Sequence, residues 1–251
     1  MSALMSAQKD TPFKIYENVA YVGKPAYIGI KRVPILYENM LWRNGESKDG
    51  PPNADSLNYW INQVKNVTGP MILDIEHWPI YTDTVTRQYM VDIANAFKIA
   101  GRTYEIGYYA MIPQRDTFAA LFPWHPSFTN WKARNTFVQP IADAVDILCP
   151  SLYSLYADQQ RWDHYTIENI LEARRLAPNK KIIPFLWPQY HTSSDRKALQ
   201  YVDPELWMHQ LTTVYRMCDG VIIWRIADGE VWNPSLPWYQ VTLEFMERFQ
   251  S

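Results

Sequence analysis

The sequence predicts an α/β fold and, within that class, an irregular TIM-like (β/α) barrel of about seven or eight strands. Short apolar segments alternate along the chain with segments of helical spacing, which is typical of a parallel sheet covered by helices. Roughly six or seven such strands can be counted in the chain. No G-x-G-x-x-G and no P-loop follows any of them, which disfavours a doubly wound sheet.

The composition sets the broad class. We expect residues 1–251 to form a single domain, since 47% hydrophobic residues supply a sizeable core. A net charge of -2 without any block of like charge predicts neither nucleic acid nor an anionic membrane as partner. No run reaches 18 apolar residues, so no membrane span is expected. The first ten residues carry no apolar stretch of the signal-peptide kind, and the compartment stays open because a leader can be removed.

Metal and nucleophile chemistry lack their usual signatures. The five histidines show neither H-x-x-x-H nor H-E-x-x-H spacing, and no G-x-S-x-G elbow is present. Cys149 and Cys218 lie in or beside apolar runs, which predicts buried free thiols rather than a structural disulfide. We therefore predict no metal site and no cofactor.

The first half of the chain alternates strand and helix patterns. Asp55-Ser56 is the expected N-cap of a helix that carries Leu57, Trp60, Ile61 and Val64, and Gly101 closes the next helix. The predicted elements are strands at 26–30 and 33–37, a loop at 43–53, a helix from 55, a strand at 71–75 and a helix at 84–100.

The second half continues the alternation. Segment 113–135, which holds Trp124, His125 and Trp131, is expected to be a long loop forming a lid or rim. Asp203 and Pro204 are the expected N-cap and first residue of a helix. The predicted elements are strands at 104–111, 146–153, 181–187 and 220–226, and helices at 166–176, from 204 and at 239–249.

Two carboxylates stand at the end of the strand predicted at 71–75. Asp74 and Glu76 are two positions apart, so on a strand both would project from one face, about 6.6 Å apart along the chain. Barrels place their active sites at this carboxyl end of the strands. A carboxylate pair there can divide acid and base work on a glycosidic bond. The alternative is a pair that caps the next helix or binds an arginine.

Aromatic residues are abundant, with eleven Trp, 17 Tyr and nine Phe. Aromatic rings stack on the apolar faces of sugars, although extra core packing explains such a content equally well. Several of these residues follow predicted strands and would line one barrel mouth. The candidate substrate-binding residues are Tyr37, Trp78, Tyr108, Tyr153, Trp187, Tyr190 and Trp224. A polysaccharide or oligosaccharide is therefore the expected partner.

Six segments in order resemble the hyaluronidases of the bee-venom and mammalian type, from about 35 to 226. They include Ile35-Leu36-Tyr37, the D-I-E-H-W of 74–78, and G-Y-Y-A at 107–110 followed by Pro113. The others are D-I-L-C-P-S-L-Y at 146–153, K-K-I-I-P at 180–184 through Tyr190, and D-G-V-I-I-W at 219–224. The chain departs from the family in having Pro79 where an Arg follows the D-x-E-x-W motif, and in lacking the family's disulfide cysteines and C-terminal extension.

The resemblance implies an irregular barrel and retaining, endo-type cleavage at an N-acetylhexosamine. Glu76 matches the family's general acid and base. Asp74 matches the residue that orients the acetamido group, whose oxygen is the nucleophile. Tyr37, Tyr153, Tyr190 and Trp224 match residues that shape the sugar subsite. Because the Arg is missing and the net charge is -2, we expect a polysaccharide with N-acetylated amino sugar other than hyaluronan itself.

Three other interpretations stay open. The first is a different D-x-E barrel glycosidase, of the muramidase or chitinase kind or acting on another exopolysaccharide, which would keep Asp74 and Glu76 and change the polymer. A catalytically silent barrel that binds sugar is of a different class, and the presence of both carboxylates argues against it. An unrelated chemistry on the same fold is the third, since a fold does not fix a function.

Overall fold

The computed structural model describes residues 12–42, 46–194 and 197–249. The strands are β1 Lys14–Val19, β2 Lys31–Arg32, β3 Ile35–Tyr37, β4 Thr68–Asp74, β5 Thr103–Tyr108, β6 Ile147–Leu148, β7 Lys181–Ile182, β8 Phe185–Leu186 and β9 Gly220–Arg225. The helices are α1 Glu38–Leu41, α2 Ala54–Val64, α3 Thr84–Ala96, α4 Pro126–Phe137, α5 Gln139–Ala144, α6 Gln159–Leu176, α7 Pro204–Met217 and α8 Pro237–Phe249. The order is that of an α/β protein, which confirms the predicted class.

The chain divides into two compact units. The first comprises the described residues of 1–32, 151–170 and 181–251, and the second those of 33–150 and 171–180. Whether 1–251 forms a single barrel domain, and with how many strands, stays a prediction. The expected absence of a leader concerns residues 1–10, which lie outside the described residues. Within the described ranges, no helix combines the length and the apolar character needed to cross a membrane.

The first unit contains a parallel sheet in the order β2-β1-β9-β8. Its centre is the β1–β9 pair, where Lys14 lies opposite Gly220 and Val19 opposite Arg225. The β9 strand is buried along most of its length, as expected for a parallel strand covered on both faces. Trp224, near its carboxyl end, is half-buried.

The second unit contains the parallel sheet β3-β4-β5. Tyr37 lies opposite Asp74 in the register of β3 and β4, and Leu73 lies opposite Tyr108 in that of β4 and β5. The residues that directly follow β5 and β6, Tyr109 and Cys149, form a parallel bridge, so the β6 segment lies beside β5. The parallel sheets predicted from the apolar runs are therefore present in both units.

The first strand lies earlier than the sequence pattern predicts. The prediction at 26–30 is wrong, because that segment is irregular and Gly29 has a φ of 82°, which interrupts an extended chain. The true first strand, β1, was missed because it carries charged residues. Glu17 is fully buried in it and is paired with Lys24 at 2.8 Å. Burial of a charge is tolerated when it is paired, and the partner lies outside the strand.

Several other boundaries moved. Asn53 caps α2, accepting a hydrogen bond from the Ser56 N–H at 2.8 Å, so the predicted cap at Asp55-Ser56 is wrong. The strand predicted at 181–187 is interrupted between β7 and β8, where Pro184 has no N–H to donate. The predicted N-cap Asp203 and the first-turn Pro204 are confirmed, although the Asp203 side chain makes no capping hydrogen bond.

The long loop predicted at 113–135 is wrong in its second half, where α4 forms. Its start follows known helix chemistry, with His125 as N-cap accepting from the Ser127 N–H and Pro126 in the first turn. The helix was missed because it lacks an apolar stripe: only Trp131 and Asn135 are buried. A single fully buried tryptophan holds it in place.

A tight contact between β5 and the β6 region yields a stability prediction. A Cβ added at Gly107 would lie 2.7 Å from Cys149 Sγ and 2.8 Å from Ile147 Cγ1. We expect Gly107→Ala to lower the free energy of unfolding by about 1–3 kcal/mol through overpacking. Gly50→Ala, where a Cβ meets nothing within 4 Å, is the matched control. Urea unfolding of both variants measures the difference, and equal stability of the two would contradict the contact.

Cys149 and Cys218 are free and buried, as predicted from their apolar surroundings. Burial raises the pKa of the Cys149 thiol well above its ordinary value. A thiol held in its neutral form is a poor nucleophile and a poor metal ligand, so this cysteine belongs to the packing of the second unit.

Candidate active site

The second unit brings Asp74 and Glu76 together at the carboxyl end of β4. Asp74 is the last residue of the strand and is half-buried, whereas Glu76 lies two residues beyond and is exposed. Ile75 between them is buried, so the chain keeps the alternation of a strand past its formal end. The negative charge of Glu76 is close enough to act on Asp74 and helps to raise its pKa. One member of the pair is therefore sheltered, and the other reaches solvent.

Asp74 carries an unusual acidity. Its pKa is raised from 3.8 to about 7, mainly by burial, and further by the negative charges of Glu76 and Glu38. The nearby Arg115 acts in the opposite direction. Asp74 therefore keeps its proton up to near neutral pH, because burial and two neighbouring negative charges oppose its ionisation.

A charged network lies next to the pair. Glu38, the first residue of α1, accepts hydrogen bonds from Lys48 at 2.6 Å and pairs with His77 Nδ1 at 2.9 Å. The other ring nitrogen of His77 lies 3.1 Å from the Lys48 carbonyl oxygen. These contacts lower the pKa of Glu38, although its partial burial opposes them. Glu38 therefore stays ionised and adds negative charge near Asp74.

Arg115 approaches the pair from the segment that follows β5. Its Nη2 lies 3.7 Å from Glu76 Oε2, and its Nη1 donates to the Tyr109 hydroxyl at 3.2 Å. One of the two carboxylates, Glu76, therefore pairs with an arginine, as the alternative interpretation of the sequence predicted. Ala110, next to Tyr109, has a φ of 54°, a left-handed conformation that costs about 1–2 kcal/mol outside glycine. Strain of this kind concentrates at functional sites.

The neighbouring tyrosines of β5 point to different places. Tyr108, the predicted substrate contact, is 2% exposed, and its hydroxyl donates to the Met90 carbonyl of α3 at 2.8 Å. Successive side chains on a strand face opposite sides, so Tyr109 faces the other way, toward Arg115. The structure thus places Tyr108 in the core under α3 and brings Tyr109 to the carboxylates' surroundings.

Trp78 and Tyr37 flank the pair in different ways. Trp78 is buried, its indole N–H donates to the Lys48 carbonyl at 2.7 Å, and its ring contacts Trp42 and His77. It therefore fixes the loop that carries Lys48. Tyr37 is half-buried and lies opposite Asp74 in the parallel register, which puts the two side chains on one face of the sheet.

The first unit gathers four aromatic rings. Tyr153 stacks on Trp224 with ring centroids 5.8 Å apart and an interplanar angle of 18°. Trp187 meets both rings edge-on, at 5.4 Å from Tyr153 and 5.1 Å from Trp224. His191 lies against Tyr153 and Trp187. Tyr153 and Trp187 are each 3% exposed, whereas Trp224 and His191 are half-buried and keep part of their rings accessible.

Tyr190 is held by polar partners. Its hydroxyl donates to Asp203 Oδ2 at 3.2 Å and lies 3.4 Å from Lys197 Nζ, which itself pairs with Asp203 at 3.1 Å. Burial raises the pKa of Tyr190 above its ordinary value, and Lys197 opposes that shift. With 1% of the residue exposed, Tyr190 contributes to packing and to the anchoring of the segment before α7.

Sequence reasoning missed two members of the charged surroundings, Glu38 and Arg115. The signal for Arg115 was faint, a single cation in a polar segment after a strand. In the described ranges 12–42, 46–194 and 197–249, no group of three or more His, Cys, Asp or Glu side chains could hold a metal ion.

Comparison with known proteins gives one kind of match. No protein-family model matches the sequence, and no curated protein matches it significantly. Among solved structures, bee venom hyaluronidase in complex with a hyaluronic acid tetramer is similar, with a TM-score of 0.59. The match covers 87% of this chain and 84% of that chain at 16% sequence identity. The similarity extends over most of the chain and shows a shared hyaluronidase-like fold.

Proposed function

We propose that the protein is a glycoside hydrolase that cleaves a polysaccharide containing N-acetylhexosamine by a retaining, substrate-assisted mechanism. The observation that carries the proposal is the pairing of Asp74 and Glu76 at the carboxyl end of β4, where the pKa of Asp74 is raised to about 7, so that a carboxyl proton is kept near neutral pH. Pairs of titratable groups with separated acidities are the usual means of dividing acid and base work. The hyaluronidase-like fold supports the same reaction class.

The proposed roles follow from exposure. Glu76 reaches solvent, so it is the group that gives a proton to the glycosidic oxygen as the bond from the anomeric carbon breaks. The acetamido oxygen of the sugar attacks that carbon from the opposite face. The proton that Asp74 holds passes to Glu76 as the sugar binds, and Asp74, ionised by that transfer, accepts a hydrogen bond from the acetamido N–H and stabilises the positive charge of the cyclic intermediate. Water then opens the ring and returns its proton to Glu76.

The nucleophile is assigned to the substrate because the pair has the wrong geometry for an attacking carboxylate. In retaining enzymes with a protein nucleophile, two carboxyl groups flank the bond at about 5–5.5 Å. Asp74 and Glu76 instead leave one strand two residues apart, so both would reach the sugar from the same side. Other carboxylates are engaged: Glu38 by Lys48 and His77, and Asp228 by Arg225 at 2.6 Å. A further one, Asp158, accepts the Arg161 N–H.

Within the first unit, Trp224 is proposed as an aromatic platform for a sugar ring. The stack on Tyr153 and the edge contact with Trp187 fix its orientation, and its remaining area would cover the apolar face of a pyranose. Tyr153, Trp187 and Tyr190 would support that platform. Tyr37 and Trp78 are proposed to shape the surroundings of the carboxylate pair.

The test is product analysis on a glycan panel that includes hyaluronan, chitin oligomers, peptidoglycan and bacterial polysaccharides containing N-acetylhexosamine. Mass spectrometry identifies the polymer that is cut, and this also decides between the hyaluronidase-like and the muramidase- or chitinase-like alternatives. NMR of the first product should show retention of anomeric configuration, and a thiazoline analogue of the cyclic intermediate should inhibit. Binding without cleavage across the panel would establish the silent sugar-binding alternative, and inversion would overturn the mechanism.

The pair's acidity predicts the dependence of hydrolysis on pH. The raised pKa of Asp74 means that the pair holds one proton below about pH 7 and loses it above. Without that proton no general acid is present, so we expect kcat/KM to fall about tenfold per pH unit on the alkaline side. A profile from pH 4 to 10 on the cleaved glycan measures this, and activity that keeps rising above pH 9 would contradict the assignment.

A further inference from the structure

Hydrogen bonds to the helix α4 fix the backbone on both sides of Arg115 in the second unit. Its neighbour Gln114 is held by α4 at three points. The Gln114 N–H donates to Asn135 Oδ1 at 2.8 Å, its carbonyl accepts from the Trp131 indole at 2.8 Å, and its side-chain oxygen accepts from Arg134 Nε at 2.6 Å. Trp131 and Asn135 are both fully buried. The backbone before Arg115 is therefore rigidly placed by α4.

The residue on the other side is held as well. Asp116 accepts from Arg134 Nη2 at 2.8 Å, and its second oxygen accepts from the N–H groups of Phe118 and Ala119 at 3.1 and 2.8 Å. Arg134 thus clamps both neighbours of Arg115. An arginine whose flanking residues are fixed on both sides presents its guanidinium in a defined direction, at reduced cost in side-chain entropy.

That direction is toward the carboxylates. The Tyr109 hydroxyl accepts from Nη1 at 3.2 Å, which leaves Nη2 at 3.7 Å from Glu76 Oε2. Both Arg115 and Glu76 side chains keep access to solvent, at 30% and 42% exposure. A cation at this distance from a pair of neighbouring carboxylates favours the loss of their proton.

Charged and polar side chains near the pair come from several further elements. Glu38 on α1 is negative, and the Lys48 and His77 that bind it offset its charge. Tyr37 on β3 and Tyr109, directly after β5, contribute phenol side chains. Of the groups that act on Asp74, Arg115 is the one that lowers its pKa, against burial, Glu76 and Glu38, which raise it.

We propose that Arg115 is a positioning residue, held by Tyr109, whose Nη2 keeps the Glu76 carboxylate beside Asp74 and its carboxyl proton. The inference rests on the proposed function, in which that proton is the one delivered to the leaving group. Arg115 acts through Glu76 and does not itself take part in proton transfer. The segment 113–135, expected from the sequence to be a lid or rim, thereby acquires a defined role through Arg115 and the helix α4 that fixes it.

The test measures the carboxyl pair directly. In protein labelled with 13C at the side-chain carboxyl groups, NMR titration gives the midpoints of Asp74 and Glu76 without any substrate. For Arg115→Met we expect the titration of the pair to move to higher pH by about half a unit or more, the scale of one partly exposed ion pair. Arg115→Lys keeps the positive charge, so its titration should lie close to that of the wild type. Arg248→Met, on the exposed Arg248–Glu244 pair of α8, is the matched control and should leave the titration unchanged.

The alkaline limb of the activity profile should move upward by the same amount in Arg115→Met. An unchanged titration in that variant, with thermal unfolding like that of the wild type, would overturn the proposal. Because the titration needs no hydrolysis, it decides the inference even if no glycan is cleaved, which would overturn the proposed function alone. If glycans are cleaved and the titration shifts but the activity limb stays in place, the pair is not the group that limits the alkaline side and the inference fails.

Discussion

Replacing Glu76 by glutamine is expected to lower kcat/KM for the cleaved glycan by about 10²–10⁴-fold, the range that general acid catalysis contributes. The amide is nearly isosteric and can still pair with Asp74, so the geometry of the pair survives, but no proton is available for the glycosidic oxygen. Glu76 is exposed, so the free energy of unfolding should change by less than about 0.5 kcal/mol. The experiment therefore separates chemistry from folding.

Substrates with different leaving groups show whether the variant has lost protonation of the glycosidic oxygen. An aryl glycoside of the same sugar with an acidic phenol needs little protonation, so the glutamine variant should lose far less on it than on the natural polymer. Glu247→Gln, another exposed glutamate on α8, is the matched control and should keep full activity on both. A Glu76→Gln enzyme that hydrolyses the polymer at the wild-type rate would remove Glu76 from the mechanism.

Local pattern was sufficient where burial alone determines structure. The apolar run before Asp74 predicted β4, because a strand covered on both faces has few polar residues. The same logic located β5 and β9 to within a few residues. It failed at β1, because the buried Glu17 is made tolerable by Lys24, a partner that lies outside the strand. Compensation of charge across a turn cannot be read from hydrophobic periodicity.

The candidate site shows the same division. Asp74 and Glu76 were predicted from their spacing, which strand geometry translates directly into proximity. The charged groups that act on their acidity were not predicted, because Glu38 and Arg115 lie 38 positions before and 39 positions after Glu76 in the sequence. Neighbouring residues of a strand face opposite sides, so predicting Tyr108 rather than Tyr109 as the substrate contact selected the wrong face. Tyr108 lies in the core under α3, whereas Tyr109 lies near the carboxylates, next to Arg115.

Asp74→Asn is expected to move activity and stability in opposite directions. Hydrolysis should fall by about 10²-fold or more, the scale of one preorganised electrostatic contact, because a neutral amide cannot stabilise the charged intermediate. Stability should rise. A carboxyl group with a pKa raised to about 7 binds its proton more tightly in the folded than in the unfolded chain, so the wild type loses stability as pH rises from about 4 to 7.

Asparagine does not titrate and escapes this loss, so the difference between variant and wild type should grow from pH 4 to 7 and stay constant above. The full shift from 3.8 corresponds to about 4 kcal/mol at 1.36 kcal/mol per pKa unit. Asp74 is only half-buried and solvent screens its charge, so we expect about 2 kcal/mol. Urea unfolding at pH 5 and pH 8 measures it, with Asp92→Asn on the exposed side of α3 as control. A variant that is less stable than the wild type at pH 8 would show that Asp74 is held as a structural carboxylate, and the functional assignment of the pair would fail with it.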